Sequence, residues 1–323
     1  MSGATTTRRL LPPSLIMSAL LTGAALVLHS HHPSISVKNV WSIGIYTGTS
    51  PCTLTHPSII PNPILTAADV SDVKADFVAD PFMMRQDTTW YMFFEVMNAL
   101  AGHGDIGLAT STDGFGWRYE RIVLNEPFHL SYPCVFTHGD EHFMVPESHR
   151  DRTVRLYRAT AFPYGWTVED TLLHGDFVDP TVCRYNGRWW LFVCSPSHDE
   201  LRLYGAATLT GPWREHPASP IISDNPHDAQ PAGRFVAWNG GLVRYAHDDM
   251  PTYGKMVRAF HIVTLTDTDY EERRALPDPL LRPAANGWNR HGMHHVDPHR
   301  MPDGSYIACV DGYRRVLSLS IEY

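Results

Sequence analysis

From residue 78 onward the chain is written in short apolar runs separated by turn residues, and the runs fall into a repeat. An X-Pro step opens such a run five times: Asp80-Pro81, Tyr132-Pro133, Asp179-Pro180, Gln230-Pro231 and Asp297-Pro298. The intervals between these prolines are 52, 47, 51 and 67 residues. A turn closes each run: Gln86-Asp87, Gly139-Asp140, Asn186-Gly187, Asn239-Gly240 and Asp303-Gly304. Beyond the turns lie second apolar runs, Trp90–Glu95, His142–Val145, Trp189–Val193, Leu242–Ala246 and Ser305–Val310. Asn-Gly and Asp-Gly accept the positive φ angles of tight hairpins, so each unit is predicted to begin as a β-hairpin.

A third run with strand alternation follows in four units: Ile106–Thr110, Val154–Thr160, Leu201–Thr208 and Val257–Val263. A fourth comes after a small linker ending in tryptophan, at Trp117, Trp166 and Trp213. Four strands in a unit of about fifty residues is the signature of a propeller blade, and five units predict an all-β, five-bladed β-propeller. A sandwich or jelly roll does not require the same four-part order to recur. The fifth unit is short, because only Val316–Tyr323 remains for a third strand. An open ring would expose a hydrogen-bonding edge. The strand-like Val40–Tyr46 is expected to fill the gap and close the ring.

The N-terminus has a different pattern. Arg8 and Arg9 precede an uncharged stretch, Leu10–Val37, with an apolar heart at Leu15–Leu28. Pro12 and Pro13 leave a clean run too short for an ordinary spanning helix and suited to the hydrophobic region of a signal peptide. Counted from Leu10 to Leu28 it could instead serve as an uncleaved membrane tether. The division expected is residues 1–37 as signal peptide or anchor and 38–323 as propeller, secreted or anchored with its folded part outside the cytosol.

Composition adds exclusions. With 26 Lys and Arg against 34 Asp and Glu, a net charge of −8 argues against nucleic acid as partner. The five cysteines form no C-x-x-C pair, and at least one is unpaired. Cys183 and Cys194 fall on neighbouring strands out of register, as small buried fillers. No phosphate-binding glycine loop, nucleophile elbow or dinucleotide fingerprint occurs.

In a propeller the inner strand of each blade lines the axial channel, so the X-Pro residues form a ring at one mouth: Asp80, Tyr132, Asp179, Gln230 and Asp297. Each hairpin returns its second strand to that mouth, which brings Glu95, Glu147, Asp248 and Asp311 to the same rim. Counting across Asn186-Gly187 pairs Cys183 with Trp190 and Asp179 with Cys194. Both glutamates follow apolar runs, and apolar surroundings raise a carboxyl pKa as a general acid requires. An Asp before Pro often only caps a turn. Several carboxylates around one funnel, with aromatic rings for sugars to stack on, are instead the equipment of glycosidic bond cleavage.

The stretch from Trp41 to Tyr313 resembles the N-terminal domain of plant glucosamine inositolphosphorylceramide transferases and its stand-alone bacterial relatives. The resemblance is carried by Trp41–Tyr46, Val78–Phe82, Phe93–Glu95, Gly104–Gly107, Val145–Ser148, Trp189–Phe192, Ala232–Arg234, Thr252–Gly254 and His294–Asp297. That domain is similar to the five-bladed propellers of furanosidases, so the resemblance implies the fold and an association with glycans. In the plant proteins, sugar transfer belongs to a separate C-terminal domain, for which these 323 residues leave no room. Furanosidases carry acidic residues on the channel strands of their first three blades, whereas the second blade here offers Tyr132. The expected set is therefore Asp80 as base or nucleophile, a glutamate from a second strand as general acid (Glu147 or Glu95, with Glu147 preferred) and Asp179 tuning that acid.

Glu95, Tyr132, Arg234, Asp248, Tyr253, His295 and Asp297 are expected to hold substrate. His295, Asp297 and His299 would share a strand face and could suggest a metal, but spacing alone shows no third fixed ligand or oriented second shell. No metal ligand set and no cofactor is assigned, with a calcium ion on the channel axis left open. Arg234 could bind an anionic substrate group or pair with a neighbouring Asp. The expected function is glycosidase-like or transglycosylase-like action on a carbohydrate or glycoconjugate. The alternative is a glycan- or glycolipid-binding module serving a separate glycosyltransferase.

Overall fold

The computed structural model describes residues 33–321 and is built of five four-stranded antiparallel sheets. The first blade runs Ala75–Gln86, Thr89–Asn98, His103–Ser111 and Arg118–Leu124. The second comprises Ser131–His138, Glu141–Glu147, Thr153–Ala161 and Gly165–His174, and the third Val178–Tyr185, Arg188–Cys194, Leu201–Ala206 and Arg214–Glu215. The fourth holds Val236–Trp238, Gly241–Asp248, Met256–Leu265 and Tyr270–Arg274. Two single-turn 3-10 helices, Ala67–Asp69 and His149–Asp151, are the only helices among the described residues. None there is long and apolar enough to cross a membrane. The apolar segment 10–28 and residues 1–32 of the leader assigned to 1–37 lie outside the described residues, while 33–37 are extended strand.

The fifth blade is closed as expected, but not with the strands counted for it. Its order is Val296–Arg300, Tyr306–Ile321, Pro33–Gly48 and Leu54–Thr55. Among the described residues of Val316–Tyr323, those up to Ile321 make no separate third strand, because they continue the strand Tyr306–Ile321. The chain divides into two compact units, Val40–Arg314 and a small one drawn from both termini. Within the small unit, 33–39 and 315–321 are extended strand.

The hairpin turns adopt the backbone their residues permit. Asn186 and Gly187 both have positive φ, 51° and 79°, as a two-residue hairpin turn requires. Cys183 pairs with Trp190 as counted, but Cys194 pairs with Val178 rather than with Asp179. A break in register between Val178 and Thr181 causes the difference. Equivalent breaks lie between Ala79 and Phe82 and between Ser131 and Cys134. At their centres Asp80, Tyr132 and Asp179 take left-handed φ of 52°, 45° and 48°. Proline has no N–H, so a bulge at an X-Pro step wastes no ladder donor.

Apolar side chains fill the spaces around the blades. Phe82, Phe93, Tyr132, Val145 and Trp189 join the first three blades in one cluster, while Ile43, Met92, Phe94 and Ile307 join the fifth to the first. Near the axis the packing is backbone-close. A Cβ on Gly233, whose φ is +135°, would stand 1.8 Å from the Val296 carbonyl oxygen. Tyr132 ties three blades through its hydroxyl, which bonds Thr181 Oγ1 at 2.8 Å and accepts the Gly233 N–H at 2.7 Å.

A second tie is ionic. Asp297, fully buried, is gripped by the Arg234 guanidinium. Its Oδ2 accepts the Met83 N–H at 2.6 Å and faces His299 Nε2 at 2.9 Å, while Arg234 donates to the Met83 carbonyl at 2.7 Å. Three blades meet there. Breaking such a pair from one side strands a buried charge, at a cost of about 3–5 kcal/mol. Arg234→Met should therefore lower unfolding stability in urea by that order, and adding Asp297→Asn should recover part of the loss. Equal stability of Arg234→Met and the parent would show that the pair contributes little.

Candidate functional site: an acidic axial cavity

The bulged inner strands aim Asp80 and Asp179 into a cavity of about 270 Å³ at one mouth of the channel. Glu95 and Glu147, near or at the ends of second strands, enter the same cavity, as does Gln230. These groups interlock. The Asp179 N–H donates to Glu147 Oε2 at 3.1 Å, and Gln230 Nε2 donates to Asp179 Oδ2 at 2.6 Å. The Asp80 N–H donates to Asp311 Oδ2 at 3.0 Å. The lining holds four carboxyl groups and four histidines but neither lysine nor arginine.

Burial of like charges sets the protonation. Burial, with Asp311 and Glu147 adding to it against the opposing pull of His294, raises the Asp80 carboxyl to about 7. Glu95 is pushed well above the usual carboxylate range by burial and then by Asp80, Glu147 and Asp311. Asp179 rises for the same reason, through burial and then Glu147 and Asp80, although the Gln230 contact opposes it. The floor therefore carries bound protons at neutral pH beside groups able to accept them.

Histidines and aromatic rings form the walls. Gly104 N–H donates to His129 Nδ1 at 2.9 Å, so in the neutral ring the proton sits on Nε2, 3.5 Å from Glu95 Oε1. Burial, then the neighbouring His149, Arg150 and His103, lowers His129 to about 4 and keeps it neutral. His149 Nε2 stands 3.9 Å from Glu147 Oε1. His198 faces Asp249 at 3.4 Å, and Asp249 also accepts the Gly254 N–H at 2.7 Å. Trp41 stacks on His294 with ring centres 3.9 Å apart, and Tyr253, 44% exposed, stands edge-on to both.

Of the residues singled out from the sequence, Asp80, Glu95, Glu147, Asp179 and Tyr253 line the cavity together. Five others do not. The Tyr132 side chain is wholly buried with its hydroxyl committed, and it serves the site through its N–H, which bonds the Asp80 carboxylate. Asp297, in unbroken register with Cys309, and Arg234 are spent on each other. Burial would raise Asp297, but Arg234 and His299 outweigh it and hold it well below the usual range. Asp248 ends its strand as counted, but it is neutralised by Arg258 Nε at 2.9 Å and His227 at 2.7 Å. His295 lies fully buried against Phe82 and Tyr132, and burial lowers it to about 3.

Sequence reasoning missed Trp41, His129, His149, His198 and His294 as lining residues. Two of them left a signal, His294 in the histidine-rich run beside His295 and Trp41 in the strand expected to close the ring. Asp80, His294 and Asp311 bring one ligand atom each within 4.8 Å of one another, an arrangement able in principle to meet a metal ion. Asp311 is already filled, accepting the backbone N–H groups of Asp80, His294 and His295 and the His294 ring. What remains in this cluster is one carboxylate and one ring nitrogen, too few protein ligands to hold a calcium ion without several waters.

Fold and cavity together define a five-bladed β-propeller with an acid-lined axial site. The same fold is seen in a putative glycoside hydrolase from Bacteroides ovatus, with a TM-score of 0.60 and 12% identity over 83% of this chain and 96% of that one. It is seen also in the catalytic domain of the Coprinopsis cinerea GH62 α-L-arabinofuranosidase, with a TM-score of 0.59 and 12% identity over 82% and 96%. The chain belongs to the family of N-terminal domains of glucosamine inositolphosphorylceramide transferase 1, whose family model matches residues 36–313. It is 35% identical to the rice protein of that name (Oryza sativa subsp. japonica) over 85% of this chain, and 33% identical to the Arabidopsis thaliana protein over the same share. The chain spans about two fifths of the length of these relatives, 40% and 39%.

The raised Asp80 has a consequence for stability. The folded chain keeps a proton on Asp80 that the unfolded chain releases near pH 4, so stability falls as pH rises from about 4 to about 7. Asp80→Asn removes that penalty. The variant should match the parent near pH 4 and gain on it by pH 8, by up to about 4 kcal/mol, the pull of His294 being already included in the net rise. Urea midpoints at the two pH values check this, and a difference independent of pH contradicts it.

Proposed function

We propose that the protein acts on a glycosidic bond of a glycan or glycoconjugate, by hydrolysis or by transfer to an acceptor hydroxyl. The observation that carries this reading is the set of buried carboxyl groups around one cavity, with the pKa values of Asp80, Glu95 and Asp179 pushed upward. Asp80 serves as base or nucleophile, poised near neutrality. Glu95 suits the acid, because burial and three carboxylate neighbours keep its proton on and His129 Nε2 steadies it. Its proton goes to the glycosidic oxygen as the bond to the sugar carbon breaks. Asp80 takes the proton of the attacking water or hydroxyl, or attacks the carbon itself. Glu147, which was the acid expected from sequence, and Asp179 bind sugar hydroxyls and tune the pair. Trp41 and Tyr253 offer rings for the sugar face.

Asp80→Asn and Glu95→Gln, made separately, should each lose on the order of a hundredfold or more in turnover on a panel of labelled glycosides, with sugar binding retained. Glu147→Gln should act mainly on KM. Unchanged turnover in the first two would remove them from the mechanism.

A second reading is a glycan- or glycolipid-binding module that serves a glycosyltransferase. The span favours it, since the relatives named as transferases are more than twice as long as the part matched. Retained glycan binding with no turnover of any glycoside by the parent would decide for the module. For location we propose export or tethering outside the cytosol through residues 1–37, on the strength of the apolar run after Arg8 and Arg9. Fractionation of the full chain should place it in a secreted or membrane fraction. Recovery from the cytosol with an intact N-terminus would overturn that.

A further inference from the structure

We propose that His294, clamped by Asp311, is the positioning residue that orients Asp80, so that the base of the site works as an Asp311–His294–Asp80 relay. The proposal rests on reading Asp80 as the base. His294 Nδ1 lies 2.8 Å from the Asp311 carboxylate, and Nε2 points at Asp80 Oδ1 from 3.7 Å. Asp311 is itself immobilised, since three backbone N–H groups donate to it at 3.2, 3.0 and 3.0 Å. One of these belongs to Asp80, so a single carboxylate fixes both the ring and the backbone of the residue the ring faces. The Trp41 indole covers the ring face at 3.9 Å, and a Cβ on Gly254 would stand 3.0 Å from the ring edge. The imidazole is thus held by Asp311 and covered by Trp41, with Nε2 facing Asp80.

With Nδ1 committed to Asp311, the Nε2 proton is the one that faces Asp80. At 3.7 Å the two form an ion pair without a direct hydrogen bond, which leaves the Asp80 lone pairs to the cavity. When Asp80 accepts a proton from the attacking water or hydroxyl, the Nε2 proton stays in place and the oxygen forms its bond to the sugar carbon. The imidazolium is the nearest positive charge offered to Asp80 and offsets part of the burial that raises its carboxyl. The other charged groups are accounted for. His294 faces Asp311, Asp80, Asp249, His247 and His295, while Asp80 faces His294, Asp311, Glu147, Glu95 and Asp179. Burial alone would lower His294, but Asp311 and then Asp80 outweigh it and raise it.

The test is an NMR titration of the imidazole and carboxyl carbons in the full chain, joined to a pH profile of kcat/KM. In the parent, His294 should titrate above the ordinary imidazole value of about 6.5, and in Asp80→Asn its midpoint should fall. In His294→Gln, the Asp80 midpoint and the acid limb of the profile should both move up by about one to three pH units, with activity recovering at high pH. A merely structural histidine would lower activity equally at all pH values. A His294 midpoint unmoved by Asp80→Asn, or an Asp80 midpoint unmoved by His294→Gln, overturns the relay. If His294→Gln does not fold, the Asp80→Asn arm decides alone. If the parent turns over no glycoside, the enzymatic reading fails while the titrations still settle whether the two groups are coupled.

Discussion

A left-handed residue directly ahead of a proline, repeated on three successive inner strands, is the constraint on which this site depends. Asp80, Tyr132 and Asp179 share that backbone although only two are acids, so the bulge belongs to the blade and not to the carboxylate. Each costs on the order of 1–3 kcal/mol in strain. The cost is offset locally, because the amides turned out of the ladder find carboxylates: Asp80 N–H meets Asp311, and Asp179 N–H meets Glu147. The same turn that lifts a side chain into the cavity thus orients a second acid beside it.

Charge then separates residues that look alike in sequence. Asp80-Pro81 and Asp297-Pro298 are the same dipeptide opening the same kind of strand, and both aspartates are buried. Asp80 meets other acids and one histidine, and its carboxyl rises to about 7. Asp297 meets the Arg234 guanidinium and is held far below the ordinary range. One becomes a group that can exchange protons near neutral pH, the other a fixed tie between blades. Neither outcome follows from burial alone; the partner decides it.

The fold was legible because it repeats: hairpin, third strand and tryptophan-marked fourth strand recur at a nearly constant period. About half of the candidate site was legible for the same reason, since the repeat places Asp80, Asp179, Glu95 and Glu147 at one rim. What escaped was set by non-local geometry. Placing His295, Asp297 and His299 on one face assumes an unbroken strand, but that strand begins at Val296, so alternation does not extend to His294 and His295. Tyr132 opens its inner strand as counted, but its hydroxyl is consumed by Gly233 and Thr181, and Arg234 takes the pairing option, with Asp297. Trp41 lines the cavity because the strand that carries it closes the ring, which the repeat count alone does not show.

Ring closure and site assembly are therefore one event. Trp41 arrives on the N-terminal strand and stacks on His294, which precedes the inner strand of the same blade. Asp311 on the next strand receives the amide of Asp80 from the first blade, and Asp297 receives that of Met83. The cavity wall that orients Asp80 is thus built from the two ends of the propeller's chain. A propeller whose last blade is open would keep Glu147, Asp179 and Gln230 in place, since their contacts lie within the second, third and fourth blades. It would lose the indole over His294, and with it the cover that keeps water from that ring. Stability near the seam and the protonation of Asp80 are then controlled by the same few contacts.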